Sequence, residues 1–380
     1  MIQFTINKNA FLSALRIAKQ AIASKIAIPV LSKLKIEVNS EGMRFTASNG
    51  QISIEKLLPI DDEDAGMVIE SEGAILLEAT FFDSVVAQLP EITFSFEEIE
   101  NYQVHLTSGK SEITLKGQQA ELYPQIQQIT TKSFANISVG ELKELFNETA
   151  FAVSVQESRP ILTGVNLQLI EHQNLQAVAT DSHRLSQRRI RLSSFGEDFQ
   201  VVVPNRTIAG FKAVFSDDED HVSVYLNNTQ ILFKNATVNF YSRLVEGNYP
   251  DTDRLIPDAN LYSLILTLDV AETLHAMNRA KLLTAGLQGG TVKLSVQEDK
   301  LILTVNTPEV GSSFEEISML EKLGEDIEIS FNPQFLIDAL RVIKEPQIKI
   351  HFISNVRPFT IMPKEDSENF VQLVTPVRTN

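Results

Sequence analysis

The chain contains no cysteine. A disulfide framework, a thiolate metal site and a catalytic thiol are therefore all excluded. No stretch approaches the run of about eighteen apolar residues that a membrane-spanning helix needs. The opening MIQFTINKNAF lacks the basic-then-apolar pattern of a secretory signal. Both absences lead to the expectation of a soluble, cytoplasmic protein in a reducing compartment. Familiar catalytic motifs are missing too. There is no P-loop, no G-x-G-x-x-G, no H-E-x-x-H and no G-x-S-x-G elbow, and the six histidines are scattered. Gly289-Gly290 sits before a strand pattern, not before a helix. No enzyme activity, metal or cofactor is expected.

Acid is abundant instead. Asp and Glu number 49 against 33 Lys and Arg, a net charge of −16. Taken as a sum, that balance argues against nucleic-acid binding. Its distribution is uneven. Residues 1–36 hold Lys8, Arg16, Lys19, Lys25, Lys33 and Lys35 and no acid, whereas acid collects in DDEDAG, FEEIE, SDDED and FEEISMLEKLGED. Such runs are usually solvated loops. Together they also fit one basic face within an acidic exterior.

Residues 180–185 read TDSHRL, which places Asp181, Ser182 and His183 in succession. A nucleophilic triad converges from distant parts of a chain, and adjacent strand residues point to opposite faces. A polar turn closing a strand is the better reading. NLQAVAT before it alternates Leu175, Ala177 and Ala179 on one side, as a half-buried strand does.

The 380 residues suffice for two or three domains, and internal repetition decides the number. EATFFDSVVAQLP, PNRTIAGFKAVFS and NPQFLIDALRVIK each read as an amphipathic helix entered from a strand. Phe81, Ile208 and Phe335 align, 127 residues apart in both intervals. A second helix opens each unit: NKNAFLSALRIAKQAI, SVGELKELFNETAFAV and LDVAETLHAMNRAKLLT. In the first, Phe11, Leu15, Ala18 and Ile22 form one apolar stripe. IPVLSKLKIEVNSEGMRFTAS and RPILTGVNLQLIEHQNLQAVATD follow as hairpins. Each unit thus holds two helices and about eight strands, in halves that roughly copy each other. The domains are 1–125, 126–253 and 254–380, with YP segments leading into the linkers. The fold class is α+β, helices packed on antiparallel sheets. Edge strands left at each end of the chain would close a ring with a second copy.

With this threefold repeat, ATDSHRL, NYPDTDRLIP and the ending VTPVR, the whole chain resembles the bacterial DNA polymerase III beta subunit family of sliding clamps. The resemblance implies three repeated clamp domains closing into a ring as a head-to-tail homodimer around duplex DNA. It implies a processivity factor that binds DNA without sequence preference and tethers the replicative DNA polymerase. A clamp loader complex would open the ring with ATP. Other replication and repair proteins would dock through short clamp-binding peptides. No membrane partner follows.

By that resemblance the partner-peptide pocket lies between domains 2 and 3. It takes Thr180, His183, Arg184 and Leu185, with Leu162 beside them. Pro250, Arg254 and Leu255 come from the linker, and Val374, Thr375, Pro376, Val377 and Arg378 from the tail. Ser182 stands where the family often has glycine. Thr375 and Val377 replace methionines of a well-known member, and Thr379 and Asn380 extend past Arg378. Lys25 and Gln156, with Arg159 nearby, match the family's DNA-contacting loops, although Pro160 and Ile161 replace aromatic residues. Charge on the helices adds Lys8, Arg16, Lys19, Arg206, Lys212, Arg279, Lys281, Arg341 and Lys344 as DNA-facing candidates, because mobile cations attract phosphate without reading sequence. The dimer contact maps to Ile113 and Leu115 against Leu282 and Leu283, with Lys110 near Glu315 or Glu316. The rival reading is a repeat-built protein-interaction scaffold without DNA encirclement. It accounts for the repeats but not for the acid-free first 36 residues.

Overall fold

The computed structural model describes residues 1–22, 28–129, 131, 135–193, 197–216, 221–284, 290–307 and 310–378. The chain packs as two compact units, residues 1–141 with 206–244, and residues 142–205 with 245–380. Six α-helices occur among the described residues: α1 (Lys8–Lys19), α2 (Ala79–Ala87), α3 (Val139–Asn147), α4 (Asn205–Val214), α5 (Val270–Leu282) and α6 (Pro333–Arg341). They fall two to each sequence repeat, with ten, eight and nine strands in the successive repeats.

Each described helix cap shows how a strand becomes a helix. Asn7 ends the strand Gln3–Asn7 and its Oδ1 accepts the Asn9 N–H at 2.8 Å. Asp269 does the same for α5, accepting from Glu272 at 2.8 Å, and Asn332 for α6, accepting from Gln334 at 2.9 Å. Short carboxylate and amide side chains satisfy the free N–H groups of a first turn, so the chain changes period without a loop.

In unit 1, one sheet has the order Val68–Ser71, Gln3–Asn7, Thr93–Ile99, Gln103–Ser108, Ser111–Lys116. The other has nine strands: Gln118–Gln119, Gly73–Glu78, Lys33–Asn39, Gly42–Ser48, Ile52–Pro59, Val238–Arg243, Gln230–Lys234, His221–Leu226 and Ala135–Ser138. In unit 2 a nine-stranded sheet runs Phe199–Pro204, Gly164–Ile170, Asn174–Thr180, Arg184–Arg191, Phe370–Val374, Phe359–Pro363, Gln347–Phe352, Leu264–Asp269 and Met319–Gly324. A four-stranded sheet runs Gly311–Ile317, Lys300–Thr307, Val292–Gln297 and Ile327–Phe331. All pairings are antiparallel. Both nine-stranded sheets cross from one repeat to the next, through Ile52–Pro59 on Val238–Arg243 and Arg184–Arg191 on Phe370–Val374. The packing units therefore cut through the middle repeat.

The apolar stripe of α1 lies as expected at Phe11, Leu15 and Ala18, all fully buried. Phe11 meets Phe45, Phe82 and Phe94 edge-on, with centroids 5.1, 5.8 and 5.2 Å away, an arrangement that aromatic quadrupoles favour. The helix alignment shifts by one residue. Phe82, Ile208 and Leu336 are buried at about 1%, whereas Phe81 is 58% exposed. Pattern alone does not choose between the two phenylalanines; the cap at Glu78, which accepts the Phe81 N–H at 2.6 Å, does. The strand Asn174–Thr180 is buried on both faces, not one. Gln176 on its second face is satisfied by Gln168 and Arg189.

Where repeats two and three meet in unit 2, Glu148 is buried beside the Arg188 guanidinium, which also pairs with Asp366 and lies over the Phe370 ring. The Glu148–Arg188 contact is 2.9 Å but is not aligned as a hydrogen bond. Burial, with Glu144 and Asp366 nearby, outweighs Arg188 and Lys344 and pushes Glu148 up to about 7 from 4.5. A carboxyl raised in the folded state stabilises fully below its unfolded pKa, and that contribution is lost as pH rises through the folded value. Unfolding in urea should thus show a stability loss of up to roughly 3 kcal/mol between pH 4.5 and 7 that Glu148→Gln abolishes. A parallel pH profile for the variant contradicts it.

Candidate docking site, basic helix faces and subunit edges

The TDSHRL turn is built by its own side chains. Asp181 Oδ1 accepts the N–H groups of His183 and Arg184 at 2.9 and 3.0 Å, the Asx geometry that closes a turn locally. Thr180 Oγ1 accepts the Ser182 N–H at 3.2 Å and donates to the Arg184 carbonyl at 2.6 Å. The Thr180 N–H donates to the Tyr249 hydroxyl at 3.1 Å. The turn needs φ +80° at Ser182, a left-handed conformation that costs a residue with a Cβ. The first repeat makes the same turn at SNGQ, where Gly50 sits at φ +84° and Asn49 accepts from Gln51 and Ile52, both at 2.9 Å.

Arg184 is a strut. Its guanidinium pairs with Asp181 at 2.9 Å and Asp338 at 2.6 Å, and lies over the rings of Phe335 and Phe151. His183 is exposed and stacks on Phe335 at 6.3 Å. It shares no hydrogen bond with Ser182 among the described contacts, so the three adjacent residues form a scaffold. The His183 carbonyl accepts the Thr375 N–H at 2.9 Å, and the Ser330 carbonyl accepts from Val377 at 2.7 Å. The tail is thereby laid against the turn, with Arg184 opposite Val374 and Leu185 opposite Leu373.

Leu185 joins Val178 and Leu373 in a small apolar cluster, and Leu162 joins Val202 and Tyr249 in another. Pro250, Arg254 and Leu255 are exposed on the linker, with Arg254 held by Asp251 at 2.9 Å. Val374 is buried, Thr375 and Pro376 half-buried, and Val377 and Arg378 exposed. All the expected docking residues lie in unit 2, where contacts join Thr180, His183, Arg184, Leu185 and the tail, and Pro250, Arg254 and Leu255 stand on the linker. The structure adds Val178, Leu373, Tyr249, Phe335 and Asp338. Leu373, Tyr249 and Val178 had a signal, since each lies within two residues of a segment already singled out; Phe335 and Asp338 lie far off in sequence.

The cations on the helices are mostly tied to acids. Arg16 and Lys19 share Asp83 at 3.0 and 2.5 Å. Burial would raise Asp83, but hydrogen bonds from Lys19 and Arg16 outweigh it and hold the carboxyl below its usual range. Arg279 pairs with Glu315 at 2.5 Å, Arg341 with Asp338 at 3.8 Å and Lys344 with Glu144 at 2.7 Å. Lys8 donates to the Leu89 carbonyl at 2.7 Å and Arg206 to Gln51 at 2.9 Å. Lys212 is half-buried, and desolvation lowers its pKa. Lys281 is half-buried, Gln156 exposed, and Arg159 donates to Ser182 Oγ at 3.1 Å. Lys25 lies outside the described residues, as do Thr379 and Asn380.

Ile113 and Leu115 sit on the edge strand Ser111–Lys116 of unit 1, half-buried and buried. In unit 2, Leu282 is 73% exposed at the end of α5, whereas Leu283 packs into the third-repeat core. Beside them the edge strand Gly311–Ile317 exposes Phe314 at 64%. Among the described residues no group of three or more His, Asp or Glu could hold a metal, and no helix is long and apolar enough to cross a membrane.

Family models for the DNA polymerase III beta subunit match residues 2–127 (N-terminal domain), 136–251 (central domain) and 253–378 (C-terminal domain). The beta sliding clamp of Lactococcus lactis subsp. lactis is 55% identical over 380 residues, the full length of both chains. The crystal structure of the DNA polymerase III beta chain from Streptococcus pneumoniae TIGR4 superposes with a TM-score of 0.97 at 51% identity, covering 100% of each chain. The DNA polymerase sliding clamp of Bacillus subtilis gives 0.95 at 37% identity, again covering 100% of each.

Replacing Ser182 by glycine removes the left-handed strain and loses one exposed hydrogen bond to Arg159. Ser182→Gly should therefore raise stability by about 1 kcal/mol in urea unfolding. A loss of stability would mean that the Arg159 contact outweighs the strain.

Proposed function

The chain belongs to the DNA polymerase III beta subunit family, and from that premise we propose that it works as a head-to-tail homodimeric ring of three-domain protomers, 1–125, 126–253 and 254–380. It is a DNA sliding clamp. Its task is topological: a closed ring on duplex DNA holds the replicative polymerase to its template without chemistry of its own and without reading sequence. A clamp loader opens it, and its working place is the cytoplasm.

The observation that carries ring closure is the repeated junction. Inside the chain, the last strand of one repeat pairs with the fourth strand of the repeat before it, twice: Phe240 opposite Ile54, and Gln372 opposite Ser186. By hairpin register, Ile113 occupies the place of Phe240 and Gln372, and Ser313 that of Ile54 and Ser186. Their strands, Ser111–Lys116 and Gly311–Ile317, are sheet edges. Unpaired edges seek a partner, and a second copy supplies one by the rule the chain already uses. That register sets Ile113 opposite the partner's Ser313, Glu112 opposite the partner's Phe314 and Lys110 opposite the partner's Glu316. Leu282 and Phe314 supply the apolar contact.

Partner peptides dock in unit 2. Val178, Leu185 and Leu373 give an apolar floor, on which a buried leucine or phenylalanine side chain contributes roughly 1.5–3 kcal/mol. Arg184 and His183 hold the rim, and Thr375 to Arg378 close it. The helix cations face DNA. Their acid partners keep that attraction weak, which suits a ring that must move.

Loading with a verified clamp loader and ATP onto a nicked circle should leave protein that stays on the circle and runs off once the DNA is cut. Leu282→Asp and Phe314→Asp should each elute as folded monomers and fail to be retained. Leu283 is a poorer probe, because its substitution would also disturb the core. Equal binding to circular and linear DNA that falls steeply with salt would overturn the ring.

A further inference from the structure

The docking turn of unit 2 has a counterpart in unit 1. Ser48 Oγ donates to the Ile52 carbonyl at 3.2 Å and accepts the Gly50 N–H at 3.1 Å, as Thr180 does with Arg184 and Ser182. The Gln51 carbonyl accepts the Arg243 N–H at 2.9 Å, as the His183 carbonyl accepts from Thr375. Tyr123 takes the place of Tyr249 and packs with Leu31 and Leu76, as Tyr249 packs with Leu162 and Val202. The Tyr123 hydroxyl, in a residue 6% exposed, points at the Ser48 backbone but falls short of hydrogen-bond geometry.

The floor of the counterpart differs. In unit 2 the registered row is Asn166, Val178, Gln187, Val371, beside Leu185 opposite Leu373. In unit 1 the same row reads Lys35, Thr46, Glu55, Asn239, beside Ser53 opposite Tyr241. An open cavity of about 500 Å³ lies over this polar row, lined further by Glu37, Arg44 and the linker from Tyr123 to Ile126 with Gln128. Most of its polar groups are engaged: Lys35 with Glu37 at 2.9 Å, Asn239 with Glu55 at 2.8 Å, Tyr241 with Gln128 at 2.7 Å. Among its charged groups Arg44 is the least firmly held. Its contact with Glu41 is 3.8 Å, and Glu41 is largely exposed.

We propose that this cavity is a second docking site, taking an extended polar peptide segment whose carboxylate pairs with Arg44. A guanidinium in a half-exposed cleft offers two parallel donors to a carboxylate. The amides of Gln125, Gln128 and Asn239 suit a peptide backbone, and Pro124 and Ile126 add apolar lining. Apolar side chains that favour the unit 2 floor would strand Lys35 and Glu55 here, so the two sites select different ligands. Binding here needs neither DNA nor the unit 2 site, so this reading and the clamp reading fail separately.

The test uses the whole protein, labelled at isoleucine δ1 and leucine methyls, titrated with acetyl-Ser-Gln-Glu-Gln-Ser-amide. The Ile126 methyl should shift saturably while Leu185 does not. Arg44→Gln should weaken binding at least tenfold without changing the melting temperature, and the peptide with Gln for Glu should bind no better than that. No shift at Ile126, equal binding by Arg44→Gln, or displacement by a peptide carrying leucine and phenylalanine in place of the polar residues would each overturn the proposal. Equal saturation by acetate at the same concentration would assign the cavity to a free carboxylate and overturn the peptide.

Discussion

Main-chain hydrogen bonding across the repeat junctions governs this molecule. A strand that ends a repeat has one satisfied edge and one open one, and buried peptide groups left open are costly. Pairing Val238–Arg243 with Ile52–Pro59, and Phe370–Val374 with Arg184–Arg191, turns separate sheets into two nine-stranded ones. These sheets, more than the repeat boundaries, decide what packs with what; each compact unit holds one of them. The Thr180–Leu185 turn depends on the same pairing. The tail reaches His183 because it continues a strand already registered against Arg184 and Leu185.

A fixed backbone with exchangeable side chains lets one motif carry two different floors. The turn at Thr180–Leu185 and the turn at Ser48–Ser53 share their hydroxyl and Asx hydrogen bonds and their left-handed residue. None of these bonds involves the residues of the floor. Val178, Leu185 and Leu373 could therefore become Thr46, Ser53 and Tyr241 without disturbing the turn. Ser182 shows the limit of that freedom. The backbone demands a conformation that glycine adopts without cost, and serine is held there with its Oγ accepting from Arg159.

The repeats, six helices and strand-to-helix transitions were legible because they rest on local chemistry. Asn7, Asp269 and Asn332 stand where a cap is needed, and Phe11, Leu15 and Ala18 recur at helical spacing. Less legible was anything set by register between distant strands. Leu175, Ala177 and Ala179 read as one buried face, but nothing local reveals that Val178 is covered by Leu185 and Leu373. Phe81 and Phe82 are equally apolar, and the cap decides which goes inside. Arg184 could be placed in the proposed docking site from its motif. Its tie to Asp338 joins residues 154 apart in sequence and needed the fold. Phe314 was hidden inside an acidic run that reads as a solvated loop.

The acid content and the proposed hold on DNA reconcile at the level of ion pairs. A free cation on a helix face would release a full counterion on meeting phosphate, and several together would bind tightly. Asp83 instead sits between Arg16 and Lys19, and Glu315, Asp338 and Glu144 hold Arg279, Arg341 and Lys344. Arg16, Arg279, Arg341 and Lys344 are more than half exposed, where an ion pair contributes little, whereas Lys19 and Asp83 are mostly buried. On the proposed reading, a phosphate would replace the carboxylate at the four exposed cations with little net gain or loss. In the proposed ring such a side chain would exchange between acid and DNA, and the attraction would be shallow at every position along the duplex. Tight binding would act as a brake, whereas shallow binding leaves retention to ring closure, through the same strand edges on which the fold itself is built.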